Sequence, residues 1–446
     1  MLSPVTVGKI YSTLGNNNSL VPLAMKDVAN SLGLTAGSYA VGDKYEGKDR
    51  FMDEFGTQAI WLFGIPAYKK ILDLTLFKSL KLDPKVDVRI LKNKDILEKA
   101  KKFAANDEIA KSLENVSKKQ SLFKGLTIGK FAVSTLLTIA SYWGLTKYRH
   151  KATEAAIKKD ILLKQQEEKT QNSAKSAMTS PAFSAVHKQN AKKPSFTGLQ
   201  DFMFSPVKNL MIVDGAITTE RLTQARNKQD FMGYVIKEGA FWGFVYFAGQ
   251  RIQEHFEDKS ERKYNRSIDL DSRVIESEEL KKAFKDGTLK NSLKEFDSVM
   301  DKSDAEIYEF INNNKDNFVV QMAKKSDILK TVKDSDAIDT RYYVSIGQVK
   351  GVNRKLAKLE EQFEHSKLHQ KFPNEEKALN EFLKQVKKLK RISVLKNIGA
   401  CVGALGIAVP ALMVASRYAG GKKQDFQVKK DIEKQLAFEA DQKQSK

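Results

Sequence analysis

Residues 397–416 read NIGACVGALGIAVPALMVAS, twenty positions without a charge. An α-helix rises about 1.5 Å per residue, so this stretch makes a rod of roughly 30 Å, the thickness of a bilayer's hydrocarbon core. It is read as a transmembrane helix. Lys387, Lys388, Lys390, Arg391 and Lys396 precede it, and Arg417, Lys422 and Lys423 follow it. Basic residues in those places suit a helix that leaves the apolar core among anionic headgroups.

Three more apolar segments lie upstream. Residues 131–146, FAVSTLLTIASYWGLT, are uncharged and extend to 126–146 if Lys130 snorkels its amine toward the interface. Tyr142, Trp143 and Tyr148 near its end suit an interfacial aromatic belt. Residues 56–68, GTQAIWLFGIPAY, make a helix of only ~20 Å, too short to cross alone. Residues 231–250, FMGYVIKEGAFWGFVYFAGQ, are long enough but contain Lys237 and Glu238, each costing on the order of 3 kcal/mol deep in a bilayer. The last two segments are expected to be re-entrant, interfacial or buried among other helices. Both strong spans are basic on both sides, so the charge asymmetry that sets orientation is missing.

The chain has 446 residues, of which 41% are hydrophobic and 29% charged. That is too polar for a bundle of ten or twelve spans, so the membrane portion is a minority of the chain. Lys and Arg total 76 against 55 Asp and Glu, a formal charge of +21. Such an excess attracts phosphate, and anionic lipid headgroups are the expected partner. Nucleic acid is disfavoured because the Lys residues alternate with Glu and Asp, and the aromatics concentrate in the apolar segments. Cys401 is the single cysteine, which excludes an intramolecular disulfide and a Cys-rich zinc site. No cleavable signal peptide is read at the N-terminus, since MLSPVTVGKIYSTLGNNN lacks a basic region followed by an apolar run.

Short identities recur in the same order and at near-constant spacing in the two halves. Pro22 faces Pro206, and Phe51-Met52 faces Phe231-Met232. Asp87-x-Arg89 faces Asp271-x-Arg273, and Leu97, Lys99 and Ala100 face Leu280, Lys282 and Ala283. Ile128-Gly129 and Lys147-Tyr148 then face Ile398-Gly399 and Arg417-Tyr418 across a larger gap. The pattern predicts a duplication. The first half, 1–150, holds the apolar segment 56–68 and the span 126–146. A flexible basic linker, 151–198, comes next. The second half, 199–423, holds the segment 231–250, an enlarged charged helical region 258–392 and the span 397–416. Residues 424–446 form a charged tail. The expected fold is mainly α: a membrane-embedded helical protein of two repeated halves. Leu379, Phe382, Val386, Leu389 and Ile392 make an apolar stripe on a Lys-rich helix that leads into the last span, and a stripe through Leu356, Leu359 and Phe363 should end before Pro373.

Catalytic signatures are missing: no nucleophile elbow, no phosphate loop, no His-Glu-x-x-His and no dinucleotide fingerprint occurs. Glu361, His365 and His369 have the spacing of one helical face, the only metal-like pattern, but a solvated charged face is the preferred reading. No cofactor is expected, and the balance leans against an enzyme. Helix packing has better support. Gly399-x3-Gly403, Ala404-x3-Ala408, Ala140-x3-Gly144 and Gly239-x3-Gly243 are small-residue pairs that allow close approach of helices, within the chain or between copies of a homo-oligomer. The leading expectation is a non-enzymatic, membrane-anchored interaction or structural protein. The alternative is a small-solute or ion transporter or channel with Gly64, Pro66, Lys237 and Glu238 as site residues, because duplicated halves with interrupted apolar segments point to a midplane site.

Overall fold

The computed structural model describes residues 4–15, 20–169, 203, 205–418 and 426–444. Those residues are mainly helical with no strand among them, the one β contact being an isolated bridge between Thr331 and Ile338. The mainly α expectation is met. Two of the helices are long and apolar enough to cross a membrane, within Gln120–Lys164 and Glu375–Ser416.

The chain forms two compact units, and each draws segments from both halves of the sequence. The first comprises Met1–Leu23, Lys69–Ala132 and Phe247–Ala400. Most of its helices are short and individually capped. Asn93, Asn106 and Ser277 cap Lys94–Lys102, Asp107–Lys118 and Glu278–Lys285, and Ser303 forms a reciprocal capping box with Glu306. Their apolar faces bury Leu113, Phe296, Ile307, Val319, Leu356 and Phe382. Of the predicted stripe, Leu379, Phe382 and Val386 are buried, while Ile392 is exposed. Phe382 packs on Phe363 at 5.3 Å between ring centroids, joining this stripe to the Ile346–Glu364 helix. That helix stops at Glu364, so Glu361, His365 and His369 do not share a helical face. His365 Nδ1 lies 2.9 Å from the Glu361 carbonyl oxygen, and His369 Nε2 lies 2.9 Å from that of Phe363.

Three Asp-x-Arg turns in this unit have one geometry. The carboxylates of Asp87, Asp271 and Asp339 each accept from the backbone N–H of the Arg two residues on and hold its guanidinium. The third turn ties distant chain together: Arg341 Nη1 donates to Asp83 Oδ2 at 2.9 Å, and the Asp87 N–H donates to the Arg341 carbonyl at 2.8 Å. Burial acts to raise the Asp83 carboxyl, but donation from the Lys85 N–H, Arg341 and Ser112 outweighs it and holds the group below its ordinary value. A depressed carboxyl stabilises the fold above its unfolded-state value, about 4, and that contribution is lost as pH falls through the folded value. Asp83→Asn should therefore cost on the order of 1–3 kcal/mol at neutral pH. It should also flatten the loss of stability below about pH 4, as read by thermal unfolding across pH.

The second unit comprises Ala24–Tyr68, Val133–Tyr246 and Cys401–Lys446. It collects nearly all of the four apolar segments. The segment 56–68 does not stand alone: helix runs from Lys44 through a π turn at Ile60–Gly64 into Ile65–Leu72. That continuity turns a rod of ~20 Å into one of roughly 40 Å. Likewise 231–250 lies on helix that starts at Lys228 and passes through a π turn at Trp242–Ala248. A further π turn, Ala404–Ala408, interrupts the last span before Val409–Ser416. Pro66 and Pro410 each sit just after such a widened turn, where the missing N–H and the ring are accommodated. The linker expected from residue 151 is helical through Lys169, because the Gln120–Lys169 helix continues along an Ala- and Leu-rich stretch. Its remainder, 170–198, lies outside the described residues. The expected C-terminal tail is also helical over Gln427–Gln444, with Phe426, Val428 and Ile432 buried against Ile157.

Candidate functional site: a buried charge network

Several helices of the second unit bury polar and charged residues beside apolar ones such as Leu34, Trp61, Val213 and Ile217, and leave large apolar residues exposed. In Lys44–Ala59 the buried residues include Asp49, Arg50, Asp53, Glu54, Thr57 and Gln58, while Phe51 is 49% exposed. Leu20–Val41 buries Asp27, Asn30, Ser31 and Thr35 and exposes Met25, Val28 and Leu32. Lys228–Phe241 buries Tyr234, Lys237 and Glu238 and exposes Phe231, Met232 and Val235. The Gln120–Lys169 helix buries Ser134, Thr138, Thr146, Arg149 and Thr153 and exposes Val133, Leu136, Leu137 and Trp143. A protein packed for water does the reverse, since apolar burial is its main driving force.

The buried faces meet in one electrostatic network. Asp53, 1% exposed, is its centre: Arg221 lies 3.3 Å from one carboxylate oxygen, and Arg50, Arg149 and Lys237 each lie 3.7 Å from the other. Lys237 Nζ also reaches Glu54 Oε1 at 2.7 Å. Arg221 pairs with Glu238, which accepts a further hydrogen bond from the Thr218 hydroxyl at 2.9 Å. Asp49 binds Arg149 at 3.3 Å and Arg226 at 2.8 Å, and Arg226 holds Asp230 at 2.8 Å. Five carboxylates (Asp49, Asp53, Glu54, Asp230, Glu238) thus balance five cations (Arg50, Arg149, Arg221, Arg226, Lys237). Each desolvated charge is offset by an opposite one, though Asp53 Oδ2, Glu54 Oε1, Lys237 Nζ and Arg50 Nη1 make ion pairs without a hydrogen bond.

Tyr142 belongs to the network rather than to an interfacial belt. Its hydroxyl donates to Asp53 at 3.1 Å and accepts from Arg221 Nε at 2.5 Å, whereas Trp143 and Tyr148 face outward. Among the described residues, three further carboxylates beside the network form no ion pair. Asp27 accepts from the Trp61 indole at 3.1 Å, Asp214 from the Tyr246 hydroxyl, and Glu220 from Thr146 at 3.4 Å. A cavity of about 20 Å³ is lined by Asp27, Glu54, Asp214, Arg221, Lys237 and Glu238, with Trp61 and Phe241 among its apolar walls. That volume suits a single water molecule.

The structure brings two of the sequence candidates, Lys237 and Glu238, to this centre. A Cβ added at Gly64 would meet only Ile60 and Tyr68 of its own helix, and Pro66 is exposed. Among the described residues, a Cβ added at Gly144, Gly239, Gly243, Gly399 or Gly403 would meet nothing within 4 Å. Ala140 and Ala408 are exposed and Ala404 is partly buried. The close approach lies elsewhere, at Gly33 against the Gly406 carbonyl. No group of three or more His, Cys, Asp or Glu residues able to hold a metal occurs among the described residues. No family model, curated protein or solved structure matches the chain.

Proposed function

We propose that this chain is an integral membrane protein, built from a duplicated half, whose polar interior passes a small ion across the bilayer. The observation that carries the reading is the inversion of the second unit: a balanced five-and-five charge network inside, Phe, Val, Leu and Trp outside. Lipid is the medium in which exposed apolar faces cost nothing, and ionisable residues kept inside a membrane bundle mark ion and proton pathways. In the two long helices only 28% and 22% of the most apolar windows is buried, the opposite of a soluble core helix. Basic residues beside the spans would then meet anionic headgroups.

Support for duplication comes from element order. Leu20–Val41, Lys44–Ala59 and the π turn Ile60–Gly64 run parallel to Pro206–Thr223, Lys228–Phe241 and the π turn Trp242–Ala248. Asp87-x-Arg89 and Asp271-x-Arg273 make the same turn, and Leu97 and Ala100 are buried as Leu280 and Ala283 are. Each series ends in a long helix that carries a strong span.

Cavity size limits the cargo: a space for one water passes a proton or a single small ion, and no organic solute fits. A second reading, a membrane-anchored interaction or structural protein, draws on the exposed small residues Ala140, Gly144, Gly239 and Gly399, which a second copy could cover. Alkaline carbonate extraction and ion flux into vesicles separate the cases. The expected result is retention in the membrane pellet, together with dissipation of an imposed ion gradient that falls at least tenfold in Lys237→Met. Release by carbonate overturns membrane integration. Retention without flux of any ion leaves the interaction reading in possession.

A further inference from the structure

The geometry points to Asp27 and Asp214 as a proton-binding pair, the groups that carry the transported species through the cavity; this rests on the transport reading. The charge count is the first ground. Glu54 and Glu238 in the cavity lining are neutralised by Lys237 and Arg221, and every other cation of the network is matched by a carboxylate of its own. Asp27 and Asp214 line the same space and, among the described residues, form no ion pair, so two ionised carboxylates there would add two uncompensated negative charges beside it. A buried carboxyl in that position takes up a proton.

The partners of each group fit this. Asp27, 9% exposed, receives one hydrogen bond from the Trp61 indole. It faces Glu54 on the Lys44–Ala59 helix, Arg221 on Pro206–Thr223 and Lys237 on Lys228–Phe241. Asp214 is partly exposed, receives the Tyr246 hydroxyl, and faces Asp27, Glu238 and Arg221. The ligand chemistry is that of a proton. A metal cation in so small a space would meet the Lys237 ammonium and Arg221 guanidinium, whereas a proton joins the carboxylate itself and needs no room. In the transfer, after both carboxyls have released their protons to water, an O–H bond of hydronium breaks, leaving water, and one forms on the Asp214 carboxylate. That bond then breaks as the proton passes, through one water in the cavity, to an Asp27 oxygen. No electron moves, and each step shifts one positive charge.

Asn is the neutral isostere of a protonated Asp. Asp27→Asn and Asp214→Asn should therefore fold with wild-type thermal stability while losing the exchangeable proton. The test uses the full chain in vesicles. Infrared absorption of protonated carboxyls is recorded at neutral pH, and proton, sodium and potassium fluxes are read with an entrapped pH dye and ion-selective dyes. Lys285→Gln, in an exposed ion pair, is the control. The expected result is a protonated-carboxyl band that each Asn variant diminishes, with proton flux reduced at least tenfold in either and unchanged in the control. A missing band at neutral pH, or proton flux untouched by both variants, overturns the assignment. Sodium or potassium flux without proton flux overturns the assignment and leaves the transport reading standing. If no ion crosses with the wild-type chain, the transport reading fails, and a band that persists then marks a static pair.

Discussion

Replacing Asp53 with Asn is expected to destabilise the protein by ~3–5 kcal/mol, the cost of breaking a buried charge pair by removing one partner. The size follows from its position. Arg50, Arg149, Arg221 and Lys237 all converge on this one carboxylate, and without its charge five cations face four carboxylates. Asn keeps the volume and can still accept from Tyr142, so the loss reports charge rather than packing. Thermal or denaturant unfolding in detergent, followed by the fluorescence of Trp61, Trp143 and Trp242, measures it. Lys285→Gln breaks an ion pair whose side chains are 58% and 48% exposed and should cost at most about 1 kcal/mol. An Asp53→Asn variant as stable as that control would mean that the network is not desolvated.

The second large effect is expected at Gly33. A Cβ there would lie 2.2 Å from the Gly406 carbonyl oxygen and 2.8 Å from Pro410 Cγ. Neither obstacle is the flexible end of a side chain, so the Leu20–Val41 helix would have to separate from the π turn at Ala404–Ala408. Gly33→Ala should cost about 1–3 kcal/mol and Gly33→Leu more, since an overpacked backbone contact can be relieved only by shifting a helix. Gly239→Ala and Gly399→Ala, whose new methyls meet nothing, should be neutral or slightly stabilising through helix propensity. The same unfolding assay decides between these outcomes, and equal effects at Gly33 and Gly239 would refute the packing account.

Those two sites show where sequence was legible. Apolar runs announce themselves by composition, so the long helices of Gln120–Lys169 and Glu375–Ser416 and the mainly α architecture were readable, as were Lys237 and Glu238 for being charged inside an apolar run. Asp49, Arg50, Asp53 and Glu54 were not, because KDRFMDEF resembles any solvated helix. The signal available was the spacing itself: Asp49, Asp53 and Thr57 fall on one face, with Phe51 and Phe55 turned away from it. Which face is buried depends on whether the surroundings are water or lipid, and periodicity alone does not carry that information. The small-residue rule chose Gly399 and Gly403, whereas Gly406 makes the contact. Asp27 and Asp214 escaped notice because their distinction is a missing partner, visible only once the cations around them are assigned.

Everything proposed for the charge network depends on which way the second unit faces its solvent. Nitroxide labels at Leu136 and Ile407, 63% and 71% exposed, test this directly in reconstituted bilayers. Their collision rates with dissolved oxygen and with a water-soluble nickel complex are compared against a label at Lys285. The account predicts strong oxygen relaxation and almost no nickel relaxation at Leu136 and Ile407, with the reverse at Lys285. Nickel accessibility at Leu136 and Ile407 equal to that at Lys285 would place the apolar faces in water and contradict it.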